Sequence, residues 1–232
     1  RGGTWSASGG SERAPVSLEG RGDGVAVPQD GASWADLGVA PQLDADTGRP
    51  PGMIGVLVDG NNRSMLTERG ANAFLTADAV TDELLEGASV VHFTGYSVYD
   101  STDHSPIRRL LERAAQRGVT VSVDPASAGG LHDFGIDAFL DLVDGAGILM
   151  PNFDEGKALT GLDEPREIAA ELVKLFPLVV LTLGADGVVI AETGNDIVSV
   201  PSEDAAIVDP TGAGDAFSAG FLPAWTSGAG AV

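Results

Sequence analysis

Four short apolar runs, each separated from the next by a stretch with helical spacing, constrain the fold of this chain more than any other feature. They are SVVHF (Ser89 to Phe93), VTVSVD (Val119 to Asp124), GILM (Gly147 to Met150) and LVVLT (Leu178 to Thr182). The intervening spacing predicts helices over about Ser105 to Gln116, with Pro106 suited to a first turn, Ile136 to Val143, Asp154 to Thr160 and Glu164 to Leu175. Continuous apolar strands alternating with helices predict a parallel sheet covered on both faces, a doubly wound α/β architecture. Upstream, Met53 to Asp59 and Arg63 to Arg69 read as two strands of a hairpin around Gly60-Asn61-Asn62, followed by a helix capped by Thr76 and running to Glu86. Downstream, GVVIAE and DIVSVP read as further strands, and a last helix starts near Gly212.

Residues 1 to about 36 are rich in Gly, Ser, Ala and Asp, carry neither period, and are expected to be poorly ordered. The organisation predicted is therefore a degenerate N-terminal segment, 1–36, and one α/β domain, 37–232. With 34 acidic against 13 basic side chains, the formal charge of -21 repels nucleic acid and anionic membranes, so neither is expected as a partner. There are no cysteines, which removes disulfides, thiol catalysis and cysteine-bound zinc. No apolar run approaches the ~18 residues of a membrane span, and RGGTWSASGG at the start has no apolar secretory core, so the expected location is cytoplasmic.

Ligands of such sheets bind beyond the carboxyl ends of the strands, which directs attention to Gly95, Tyr96, Asp124, Asn152, Gly184 and the stretch after Val208. The strongest motif lies in that stretch: Asp209-Pro210-Thr211-Gly212-Ala213-Gly214-Asp215, followed by AFSAGFL. Small residues at 212 to 214 let backbone approach an anion, and a helix starting there aims unpaired N–H groups and its positive dipole end at the same spot. Asp215 in the first turn can also serve merely to favour the helix start. In PNFDE, Asn152 and Glu155 are three apart and share a helical face suited to an oxygen-ligated metal, although a cap followed by a solvated Glu has the same pattern. In VVLTLGADG, Thr182 and Gly184 either line a ligand or belong to a plain hairpin turn.

Together with RGANAFL, HFTGYSVYD, VSVDPASAG and DAFLDLV, these motifs resemble the ribokinase-like (PfkB) family of carbohydrate kinases, from about Asp44 to Trp225. The resemblance implies a ribokinase-like, mainly parallel sheet with helices on both faces and a small, here incomplete, β lid that includes the hairpin at 53–69. It implies transfer of the γ-phosphoryl of MgATP to a hydroxyl of a small molecule: a sugar, polyol or nucleoside. Asp215 would be the catalytic base, and the N–H groups of Gly212, Ala213 and Gly214 would stabilise the transferring group. Thr182, Gly184, Asn152 and Thr211 would bind ATP. Glu155 and Asn152 would hold Mg2+ through water, and Asp209 and Thr211 a monovalent cation such as K+.

The chain also departs from the family's pattern. Nothing in residues 1–52 supplies the Gly-Asp and Gly-Gly…Asn segments that grip an acceptor; VSLEGRGDG and WADLGVAP resemble distorted echoes, as an altered reading frame or incomplete gene would leave. The chain stops at Val232 where relatives continue through helices over the adenine pocket, and Pro223 is set to kink the final helix. A catalytically silent remnant that keeps the fold and weak nucleotide binding is therefore the alternative to an active kinase. A dinucleotide-binding oxidoreductase is disfavoured because no Gly-x-Gly-x-x-Gly opens an early helix. His92 is expected to be a packed core histidine, and His104 and His132 sit in loops without zinc spacing. Oligomeric state stays open, a homodimer included.

Overall fold

The computed structural model describes residues 48, 50–59, 62–74, 76–99, 101–203 and 212–231. The expectation of poor order over 1–36 and the assignments of Asp209 and Thr211 lie outside the described residues. The chain divides into two compact units between positions 75 and 76. In the first, β1 (Pro51–Asp59) and β2 (Asn62–Gly70) pair antiparallel with Met53 opposite Glu68 and Gly55 opposite Leu66, and a 3-10 turn follows over Ala71–Phe74. Met53, Ile54 and Leu66 are exposed.

The second unit contains α1 (Asp82–Glu86), β3 (Val90–Thr94), α2 (Ser105–Gln116), β4 (Thr120–Asp124), α3 (Ala128–Phe134), α4 (Ile136–Leu142), β5 (Ile148–Leu149), α5 (Phe153–Thr160) and α6 (Pro165–Leu172). It continues through β6 (Leu178–Thr182), β7 (Val188–Glu192), β8 (Val198–Val200) and α7 (Ala213–Ala224). The strands pair in chain order from β3 to β8. Neighbours from β3 to β6 are parallel, because each connection carries a helical crossover, whereas β6, β7 and β8 are joined by short turns and pair antiparallel.

The alternation of side chains along the strands feeds two cores. Val121 and Val123 of β4, Leu149 of β5 and Val179 and Leu181 of β6 enter the larger one. The helices that cover it include α2, whose Ile107, Leu110, Leu111 and Ala114 recur at helical spacing. On the other face Leu222, Phe217 and Phe221 of α7 pack over Ile148, Met150, Leu178, Val180, Val188 and Ile190, with Phe217 and Phe221 stacked at 5.8 Å. Helices thus lie on both faces, and each fully buried aliphatic side chain contributes about 1.5–3 kcal/mol. Among the described residues no helix is long and apolar enough to cross a membrane.

Three local expectations are corrected. The helix predicted from Thr76 to Glu86 is broken into a 3-10 turn, Ala77–Ala79, and α1, with Val80 extended and no hydrogen bond from the Thr76 side chain. Tertiary contacts explain the break: Arg113 donates to the Val80 carbonyl at 2.5 Å, while Arg109 and Arg113 hold Asp78 and Asp82. Helix α3 was not anticipated, since its sequence, AGGLHDF, contains two poor helix formers; Ser127 caps it by accepting from the Gly130 N–H at 3.0 Å. The last, α6, ends at Leu172 rather than Leu175: the N–H groups of Lys174 and Leu175 bond three residues back, to Glu171 and Leu172, so the final turn tightens out of α-helical geometry. Pro223 lies within α7, one residue before its end, and the backbone then loosens into a wide π-type turn over Trp225–Ala229.

Candidate functional site

Because β4, β5 and β6 are parallel, their carboxyl ends place Asp124, Asn152 and Thr182 along one edge of the sheet. Beyond β5, Asn152 and Thr182 form an isolated parallel bridge, and the Thr182 N–H donates to the Pro151 carbonyl at 3.0 Å. Two predicted site residues are thereby brought side by side through backbone alone.

Asn152 is also the N-cap of α5. Its Oδ1 accepts from the Glu155 N–H at 3.0 Å, and Glu155 returns two contacts, accepting from the Asn152 N–H at 2.9 Å and Nδ2 at 2.6 Å. This is a closed capping box. The Glu155 side chain is not a solvated Glu following a cap: only 1% of the residue is exposed. Burial pushes its carboxyl up to about 7; the Asn152 N–H pulls the other way, and the charge of Asp124 adds to the upward push.

At the start of α7, Gly212 adopts a left-handed conformation (φ 78°, ψ 7°), open to glycine at little cost, and its carbonyl receives the Ala216 N–H at 2.9 Å. Helix geometry leaves the N–H groups of Ala213, Gly214 and Asp215 without intrahelical partners. Asp215 is exposed in the first turn, and its charge acts on both Asp124 and His92. The described half of the strongest motif therefore comes to the carboxyl edge of β3 and β4. Gly184 (φ 61°) opens a 3-10 turn, Gly184–Asp186, that joins β6 to β7 as a hairpin, closed by the Leu183 N–H donating to Gly187 at 2.8 Å. Its hairpin role and a ligand-lining role are geometrically compatible.

Three residues enter the site that motif reading left aside or only marked in passing. Asp124 links its two halves, since its charge acts on Glu155 and on His92 and it feels Asp215; burial pushes its own carboxyl up, opposed by the Ala126 N–H donating to Oδ1 at 2.7 Å. Tyr99, its hydroxyl donating to the Pro125 carbonyl, wedges behind Asp124, and burial pushes the phenol up. His92 bonds through Nδ1 to Ser122 Oγ at 3.1 Å. The sequence signal for Asp124 was an acid closing an apolar strand; the contacts of His92 and Tyr99 depend on strand register and had none.

The fold is α/β, a mainly parallel sheet with helices on both faces whose carboxyl edge carries a Gly-Ala-Gly helix start, an acid in its first turn and a capped Asn–Glu pair. The chain belongs to the pfkB family of carbohydrate kinases, whose family model matches residues 32–232. It is 30% identical over 201 residues to adenosine kinase of Saccharomyces cerevisiae, covering 81% of this chain and 58% of that one. It is 29% identical over 142 residues to ATP-dependent 6-phosphofructokinase of Thermoanaerobacterium thermosaccharolyticum, covering 60% and 44%. Among solved structures, a probable sugar kinase from Rhizobium etli superposes with a TM-score of 0.75 at 27% identity, covering 84% of this chain and 60% of that one. Adenosine kinase from Sinorhizobium meliloti gives 0.69 at 28%, covering 77% and 55%. The chain spans about half the length of the curated relatives it matches.

Proposed function

We propose that this chain carries the phosphoryl-transfer machinery of an ATP-dependent kinase acting on a hydroxyl of a sugar, polyol or nucleoside. The observation that carries the reading is the start of α7, where left-handed Gly212 opens a helix whose first turn holds Asp215 against the edge occupied by Asp124. Asp215 takes the acceptor's hydroxyl proton while the oxygen's electron pair forms the new bond to the γ-phosphorus. The bond to the bridging oxygen breaks, and its electron pair leaves on ADP. The N–H groups of the Gly212–Gly214 segment face the charge that develops on the transferring group. Thr182 and Gly184 flank the nucleotide, with Asn152 and Thr211 beside its phosphates, and Asp209 and Thr211 take a monovalent cation such as K+.

In this reading Asn152 and Glu155 hold Mg2+ through water. Both Glu155 oxygens are engaged by Asn152 and only 1% of the residue is exposed, so the carboxylate would leave its capping box to accept from a metal-bound water. Bound there, the ion would neutralise charge on the nucleotide phosphates. Relatives named for adenosine, ribose and 6-phosphofructose kinases support a polyhydroxylated acceptor of either class. An ADP-release assay over a panel of sugars and nucleosides tests the reading. Turnover that depends on one acceptor supports it; MgATP binding with no turnover on any acceptor would favour the silent alternative.

A further inference from the structure

Alternation along the parallel strands decides which residues of the carboxyl edge share a face. Ile148, Met150 and Val180 pack in the core under α7, and Ser122 of β4 bonds to Met150 Sδ on that side. Asp124, Asn152 and Thr182, each two residues beyond Ser122, Met150 and Val180, therefore end their strands on the same face. The register holds to the end of the row: the Met150 N–H donates to the Val123 carbonyl at 2.8 Å, and Asn152 bridges to Thr182. Neighbouring strands lie about 4.8 Å apart, so Asp124 and Asn152 stand on adjacent strand ends.

The two carboxylates at this row differ in what their oxygens can still accept. Glu155 has both oxygens bonded to Asn152 and is 1% exposed. Asp124 is half-buried; its Oδ1 accepts from the Ala126 N–H at 2.7 Å, and its Oδ2 accepts from no described residue. The turn that follows fixes it in this state. Ala126 is held left-handed (φ 65°), which L residues rarely adopt, and the Pro125 carbonyl accepts both the Tyr99 hydroxyl and the Ser127 N–H. Gly95 and Gly130 make room for Tyr99, since a Cβ on them would lie 2.6 and 2.4 Å from its ring.

We propose that Asp124 is a metal-supporting residue of this site: its Oδ2 accepts from a water of Mg2+, without the rearrangement that Glu155 needs. Mg2+ keeps several waters and takes its remaining oxygens from one or two carboxylates and from phosphate, so a single free carboxylate oxygen at this row suffices. Among the described residues no three His, Asp or Glu side chains form a protein-only cage, which leaves the inner oxygens to the nucleotide phosphates. The inference rests on the reading of the chain as a MgATP-dependent kinase.

The test is calorimetric titration of Mn2+ into the full chain saturated with a non-hydrolysable ATP analogue. Asp124→Asn keeps an oxygen for the Ala126 N–H and removes the charge. It should weaken Mn2+ binding by about 10- to 100-fold, the usual cost of losing an outer contact of a metal site, with metal-free analogue binding unchanged. Glu155→Gln should weaken Mn2+ less. Unchanged Mn2+ affinity in Asp124→Asn overturns the proposal, and so does equal weakening of the analogue with and without metal, which a structural role would give. Tyr99→Phe, which loosens the turn and leaves the carboxylate in place, should shift Mn2+ affinity in the same direction and decides the matter if Asp124→Asn does not fold. A wild-type chain whose analogue binding ignores Mn2+ altogether would overturn the kinase reading and this inference with it, a result distinct from the failure of Asp124 alone.

Discussion

Asn152 and Glu155 bind each other three times across one helical turn, twice through Asn152 donors and once through the Glu155 N–H, with the carboxylate sealed from solvent. The pair is at once a helix cap and the proposed support of Mg2+. Asn152→Ala should therefore do two things. It should cost about 1 kcal/mol of stability by losing the cap, and it should weaken binding of a non-hydrolysable ATP analogue with Mg2+ while leaving metal-free binding less affected. Calorimetry with and without Mg2+ separates the two; equal weakening in both conditions would make the pair purely structural.

The buried Glu155 also predicts a pH dependence of stability. Its folded value, about 7, lies above the ordinary carboxyl range, so the folded state holds the proton that the unfolded chain releases. The resulting stabilisation is full below the unfolded value near 4.5 and is lost as pH rises toward 7. The span corresponds to about 3 kcal/mol. Urea unfolding in metal-free buffer between pH 4.5 and 7.5 should show this decline in the wild type relative to Glu155→Gln, which cannot ionise. Parallel curves for the two proteins would refute it.

Asp215→Asn should lower kcat by about 10²- to 10⁴-fold, the usual contribution of a general base, with KM for ATP nearly unchanged. The amide keeps the shape and still suits a helix start. Loss of several kcal/mol of stability with intact turnover would show that the carboxylate serves the helix and not the chemistry.

Helix α3 offers a paired test of packing against propensity. A Cβ on Gly130 would sit 2.4 Å from the Tyr99 ring, whereas one on Gly129 would meet only Ser127 Oγ at 3.6 Å. Gly130→Ala should destabilise by about 1–3 kcal/mol through overpacking, and Gly129→Ala should stabilise by about 0.5–1 kcal/mol through helix propensity. Thermal unfolding of the two variants checks the sign of each. Because Tyr99 braces the carbonyl of Pro125 next to Asp124, Gly130→Ala should also impair turnover.

What the sequence determined by itself was local: the strands whose apolar runs are continuous, the α2 helix with its apolar stripe and Pro106, the α5 cap written as Asn152 and Glu155, and the helix start at Gly212. Each rests on residues close in the chain, where steric preference and spacing suffice. Tertiary structure decided the rest. Arg113 reaches 33 residues back to break the helix before Asp82, and the space around Tyr99 admits α3 only because Gly130 has no side chain. The register of β3 on β4 puts His92 beside Ser122, 30 residues away in the chain, and bonds its ring to that hydroxyl. The burial that shifts Glu155 likewise comes from elements distant in sequence, because the desolvation of a charge depends on everything packed around it and on no single neighbour.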